Sequence, residues 1–109
     1  MKPTDFNKLV DDVFMRCKEL LAVKEIEYSE GKDRLDQFHK AAVMTNRPAH
    51  QALAGMMIKH TTSIYDMLNC QHLTNFSREK WDEKIQDHIN YLLLLTGLIE
   101  DAYQKKDNF

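Results

Sequence analysis

Apolar positions recur with a helical period along most of the chain, and no stretch sustains the period-two alternation of a half-buried strand. Phe6, Leu9, Val10, Val13, Phe14, Cys17, Leu20 and Leu21 make one stripe, which predicts a first helix over about residues 5–27. Thr4 or Asp5 is its expected cap, since a short oxygen-bearing side chain accepts from the N–H groups left unpaired in the first turn. The helix is expected to stop near Tyr28-Ser29-Glu30-Gly31, where glycine permits a turn or a left-handed conformation.

Leu35, Phe38, Ala41, Ala42 and Val43 predict a second helix over about residues 33–45, with Asp33 as cap or first-turn acid. Asn46-Arg47-Pro48 breaks it, and Pro48 suits the first turn of a third helix, about residues 48–69, where no donor is needed. Leu53, Met56, Met57, Ile64, Met67 and Leu68 form the apolar side of that helix. Ala52, Ala54 and Gly55 are expected to let a neighbour approach closely. After a loop over residues 71–76, Ser77 caps a fourth helix over about residues 78–103, and the polar tail 104–109 is expected to fray.

The fourth helix is the most informative. In its residues 81–99, WDEKIQDHINYLLLLTGLI, Glu83, Asp87 and Asn90 share one face, and Ile85, Ile89, Leu92 and Ile99 repeat on an adjacent one. From Tyr91 to Ile99 the sequence is apolar almost all round, the pattern of a helix buried on every side. Four helices with short connections predict an all-α fold, a compact four-helix bundle in a single domain over residues 1–109. The apolar run is more than a chain of this length needs to bury, so a homo-oligomer is expected to complete the bundle.

Composition agrees: 3 Gly and 2 Pro in 109 residues leave few helix breakers. A net charge of -2 offers no extended surface for nucleic acid or anionic membrane, although a single nucleotide needs only a local patch. Cys17 and Cys70 lack CxxC spacing and read as free thiols of a reducing cytosol. The opening MKPTDFNKLVDD lacks a signal-peptide pattern, and the apolar run from Tyr91 is shorter than the ~20 residues of a membrane span. The expected location is the cytoplasm.

Three polar clusters carry candidate chemistry. Arg34, beside Asp33 and ahead of Leu35 and Phe38, suits bidentate binding of a phosphate or carboxylate over a pocket. On the third helix Lys59, Ser63 and Asp66 line one face, with His60 next to the Met56/Met67 stripe; Asp66, between Ile64 and Met67, is expected at the core boundary. On the fourth, Asn90 and Tyr91 adjoin the apolar run, so they are expected to be partly buried and to need partners. Each cluster also has a plain reading: a solvated turn, a core-edge histidine, or a solvent face where Glu83 and Asp87 pair with Lys80 and Lys84. Taken together, Asp66, Glu83 and Asp87 supply the hard oxygens that Mg²⁺ takes, and Ser63 or Asn90 would add an oxygen or orient water. Arg34, Lys59 and Lys84 would neutralise phosphate charge.

One ordered set runs through these clusters: Glu27-Tyr28-Ser29, Asp33-Arg34-Leu35-x-x-Phe38, Ala52-Leu53-x-Gly55-Met56, Lys59-His60, Ser63, Asp66-Met67 and Trp81-x-Glu83-Lys84-x-x-Asp87-x-x-Asn90-Tyr91-Leu92. It resembles small phage and prophage proteins of the nucleotide-modification-associated domain type. More loosely, the chain is similar to the all-α nucleoside triphosphate pyrophosphohydrolases, the MazG and dimeric dUTPase group. The resemblance implies a helical bundle in the host cytosol, Mg²⁺ held by acids from two helices, and cleavage of an NTP to NMP and pyrophosphate. On that basis Asp66, Glu83 and Asp87 would hold the metal, with His60 and Asp87 the catalytic pair. Arg34, Lys59 and Lys84 would bind phosphate, while Tyr28, Asp33, Ser63, Asn90 and Tyr91 would contact base or sugar or shape the pocket.

That group carries acid pairs on two helices. Here Glu83-x-x-x-Asp87 stands for one pair, but the other helix offers Lys59, His60, Ser63 and Asp66. Basic residues in place of acids suit holding an anion. Two further readings therefore accompany hydrolysis: a phage protein that binds or sequesters a nucleotide or nucleotide-derived signal without chemistry, and a structural or protein-interaction bundle.

Overall fold

The computed structural model describes residues 1–28 and 33–107, with the side chains of Tyr28 and Asp107 outside the description. Four α-helices follow one another: α1 Pro3–Tyr28, α2 Asp36–Thr45, α3 Ala49–Leu68 and α4 Arg78–Asp107. Among the described residues there is no strand, so the fold is the all-α bundle that the periodicity predicts. None of these helices is long and apolar enough to cross a membrane.

Several ends differ from expectation, each for a local reason. α1 begins at Pro3, because proline at the first helical position lacks an N–H that would have no partner there anyway. Asp5 thus sits inside the first turn, where its charge complements the helix dipole, and neither it nor Thr4 precedes the helix as a cap. The expected turn at Ser29-Glu30-Gly31 lies outside the described residues. α2 begins at Asp36 rather than Asp33, since Asp33 Oδ1 accepts from the Leu35 N–H at 2.9 Å and commits that side chain to a turn. Asn46 ends α2 in the left-handed conformation (φ 53°), donating its N–H to the Ala42 and Val43 carbonyls.

Pro48 precedes α3 instead of occupying its first turn, and its carbonyl accepts from Gln51 and Ala52. Ser77 caps α4 as expected, its Oγ accepting from the Lys80 N–H at 3.1 Å. The expected frayed tail is helical through Asp107, where Gln104 Nε2 donates to Glu100 Oε1 one turn back. The loop before α4 holds one 3₁₀ turn, Leu73–Asn75, tied down by Trp81. Its Nε1 donates to the Leu73 carbonyl at 2.8 Å, and its ring meets Phe76 edge-on.

The core lies where α2 and α3 close on α4. Leu35, Phe38, Leu53 and Leu98 are its buried members, ringed by Ala49, Met56, Met57, Tyr91, Leu94 and Leu95. α1 adds fully buried Cys17, but Phe6, Leu9 and Phe14 of its predicted apolar stripe are exposed. α4 is not buried on every side: Leu92, Leu93 and Ile99 remain open to solvent. Nor does Gly55 admit a neighbour, for a Cβ there would meet nothing within 4 Å. The close approach is at Gly97 of α4, where Leu35 Cδ1 and Cδ2 lie 3.4 Å from the position of a Cβ.

Candidate functional site

Asn90 falls in the inward register of α4, three residues past Asp87 and four before Leu94. It is 5% exposed, the one buried polar residue among those described. Neither its Oδ1 nor its Nδ2 has a hydrogen-bond partner. Arg34 sits in the turn that Asp33 closes, with buried Leu35 as its anchor, and its Nη1 is also buried and unpartnered. Leaving such a group unsatisfied costs about 1–3 kcal/mol, so two at one place call for an explanation.

Both residues line a cavity of about 140 Å³ between α1, the turn before α2 and α4, together with Lys24, Gln37, Asp87 and Tyr91. Leu21, Arg34 and Leu94 also border a larger cavity of about 540 Å³. Its walls are mostly apolar, from Ala22, Leu35, Leu93 and Gly97, with Lys18, Glu25, Glu100 and Asp101 among the charged groups around it. Arg34 therefore stands between a small polar compartment and a wide apolar one. In the small one, Lys24 and Arg34 line the wall together with Asp87 and Asn90.

α3 supports this wall from behind. The His60 ring lies against Tyr91 with centroids 4.8 Å apart, and His60 Nδ1 is 4.0 Å from Asp87 Oδ2. That distance brings charge close without making a hydrogen bond. Cys17 is buried, its thiol pushed above the ordinary range chiefly by desolvation. The Arg16 charge opposes that shift and the Asp87 charge adds to it. Cys17 is thus a protonated core thiol and not a nucleophile.

Of the sequence-derived candidates, Arg34, Asp87, Asn90 and Tyr91 come together, with His60 behind them. Lys59, Asp66 and Glu83 are exposed. Asp66 does not reach the core boundary, because it shares the outward face of α3 with Lys59, away from buried Leu53 and Met67. Ser63 and Lys84 are half-buried but line none of the cavities described here. Asp33 uses one oxygen in its turn and holds the other 4.0 Å from His39 Nε2. The Tyr28 side chain is outside the described residues. Among the described residues no three His, Cys, Asp or Glu side chains group so as to hold a metal ion, so Asp66, Glu83 and Asp87 form no ready-made Mg²⁺ set in one chain.

Lys24 and Gln37 were not among the candidates, yet both line the polar cavity. Lys24 carried a signal: it continues the inward series Val10, Val13, Cys17, Leu20 and Leu21 of α1, a cation at an apolar position. Gln37 carried none beyond its place between Leu35 and Phe38. Compared with protein-family models, curated proteins and solved structures, the chain has no match.

Proposed function

We propose that the protein binds a nucleotide or nucleotide-derived small molecule without hydrolysing it, in the polar cavity beneath Arg34, and that it works as a homo-oligomer. The observation that carries this reading is Asn90, buried with both amide atoms unpaired in a cavity that it shares with Arg34, whose Nη1 is also buried and unpaired. An amide offers one acceptor and two donors, the pattern a nucleobase edge meets. Arg34 offers a charge-assisted hydrogen bond to phosphate, and the adjoining apolar cavity has room for a ring. A ligand that satisfies Asn90 and Arg34 recovers the free energy that the empty chain forgoes. The ordered set over residues 27–92 that resembles phage nucleotide-modification-associated proteins supports the same ligand class.

Mg²⁺-dependent pyrophosphate release is the second reading, favoured by the approach of His60 to Asp87 beside the cavity. The acids fit it less well, because Asp66 and Glu83 are exposed and only Asp87 faces the cavity. Thermal melts against a panel of nucleoside mono- and triphosphates, with Mg²⁺ and with EDTA, separate the two. Binding without chemistry predicts a raised Tm for at least one member, unchanged by EDTA, with the ligand recovered intact. A ligand at 100 times its Kd adds about 2.7 kcal/mol, a shift of several degrees for a chain of this size. Arg34→Ala should weaken that ligand by about tenfold to a hundredfold. Pyrophosphate release abolished by Asp87→Asn would establish hydrolysis instead, and a panel with no shift at millimolar concentration would overturn both.

A further inference from the structure

A second feature of the molecule lies on the opposite side of α4. Along α3, Ile58, Thr61, Tyr65 and Leu68 follow heptad spacing, and along α4 so do Ile85, His88, Leu92 and Ile99. Thr61 Oγ1 and His88 Nε2 lie 3.0 Å apart and hold the two rows side by side. Ile58, Tyr65 and Leu68 are 61%, 67% and 57% exposed, and Ile85, Leu92 and Ile99 are 40%, 46% and 47% exposed. No Lys, Arg, Asp or Glu occupies any of these positions. Scattered exposed apolar residues need no explanation, but two uncharged heptad rows on neighbouring helices form the kind of seam that helices bury against helices.

We propose that this seam is the face through which two copies of the chain associate, row against row about a two-fold axis. The occupant follows from what the fold lacks. Only six hydrophobic residues are buried among those described, and the radius of gyration is 16.4 Å, against the ~13 Å usual at this length. A face that supplies missing core has to be covered whenever the chain is folded, and the partner present at matching concentration is another copy. Taking about 200–260 Å² for each fully exposed residue, the six apolar residues of the seam leave roughly 700 Å² open. That is close to the ~800 Å² each partner gives a standard interface. A two-fold axis makes such a contact closed and self-complementary, and α3 and α4 of each copy then complete a four-helix layer. Asn90 is two residues from Leu92, about 200° round the helix, so the seam and the polar cavity do not compete. The dimer therefore stands or falls independently of the ligand.

Sedimentation equilibrium of the full chain measures this directly. The expected mass is twice the 12.9 kDa of one chain at micromolar concentration. Leu92→Glu should raise the dimer dissociation constant about 100-fold or more, since symmetry buries two unpaired carboxylates, whereas Met15→Glu on exposed α1 should leave it unchanged. A folded wild-type chain sedimenting at single-chain mass, or a dimer indifferent to Leu92→Glu, overturns the proposal. Should Leu92→Glu unfold, photo-crosslinking from p-benzoylphenylalanine at position 65 decides. Crosslinks to α3 or α4 of a second copy support the seam; crosslinks to another surface of the copy, or to a different protein, overturn it.

Discussion

Where α2 and α3 meet α4, the side chains of Leu35, Phe38, Leu53 and Leu98 close on one another, all of them apolar. Where α1 meets α4, Asn90 and the Nη1 of Arg34 are buried without partners, and two cavities open beside them. The same helix thus takes part in an apolar, closed core and in a polar, unsatisfied cavity wall. A leucine at position 90 would satisfy the inward register as well as Leu94 and Leu98 do, without the cost of an orphaned amide. Local rules of this kind are broken chiefly where a site needs the offending group, so the contrast separates the part of the molecule that supplies stability from the part that gives some up.

The largest expected effect tests the first half of that contrast. Phe38→Ala empties the centre of the α2–α3–α4 core and should destabilise the chain by about 3–5 kcal/mol, read as a lowered urea midpoint. A loss below about 1 kcal/mol would mean that the core is elsewhere. A smaller effect of opposite sign tests the second half. Asn90→Leu removes two unsatisfied atoms and should stabilise the unliganded protein by about 1–3 kcal/mol, while abolishing any nucleotide-induced shift in Tm. If that variant were less stable, the amide would be a structural element and the contrast between the two regions would fail.

The sequence made the helices legible because their apolar period is strong and Pro48 and Ser77 punctuate it. It was less informative about which apolar stripe of a helix faces its own core. On α4 the stretch from Tyr91 to Ile99 was expected to be buried on every side, yet Leu92 and Ile99 of the repeat Ile85, Ile89, Leu92 and Ile99 are exposed and the inward series runs through Asn90, Leu94 and Leu98. A helix with two apolar stripes has the same periodicity whichever one its own chain covers. The site was legible where a polar residue interrupted an apolar register, as at Asn90. It was not legible at Asp66 and Glu83, because spacing places acids on a common face without saying where that face points. Helix–helix rotation decides this, and it is set by tertiary packing.

The smallest effect concerns how firmly α1 closes the polar side, and Cys17 reports it. Its thiol is buried against α4, with desolvation chiefly raising its pKa, Asp87 adding and Arg16 opposing. Below the ordinary thiol pKa of about 8.5, folded and unfolded chains both carry the proton, so the group adds no pH dependence. Above it the unfolded chain loses the proton while the folded chain keeps it. The unfolded state then binds fewer protons, and stability falls as pH rises. The difference in urea midpoint between wild type and Cys17→Ala should therefore be constant from pH 6 to 8 and shift against the wild type by pH 10. At pH 8 a thiol reagent should modify half-buried Cys70 promptly and Cys17 only through opening of the α1–α4 contact. If Cys17 reacted as fast as Cys70, α1 would not be a fixed wall of the cavity. Equal pH profiles for the two chains would in turn mean that the Cys17 thiol is not desolvated in the folded chain.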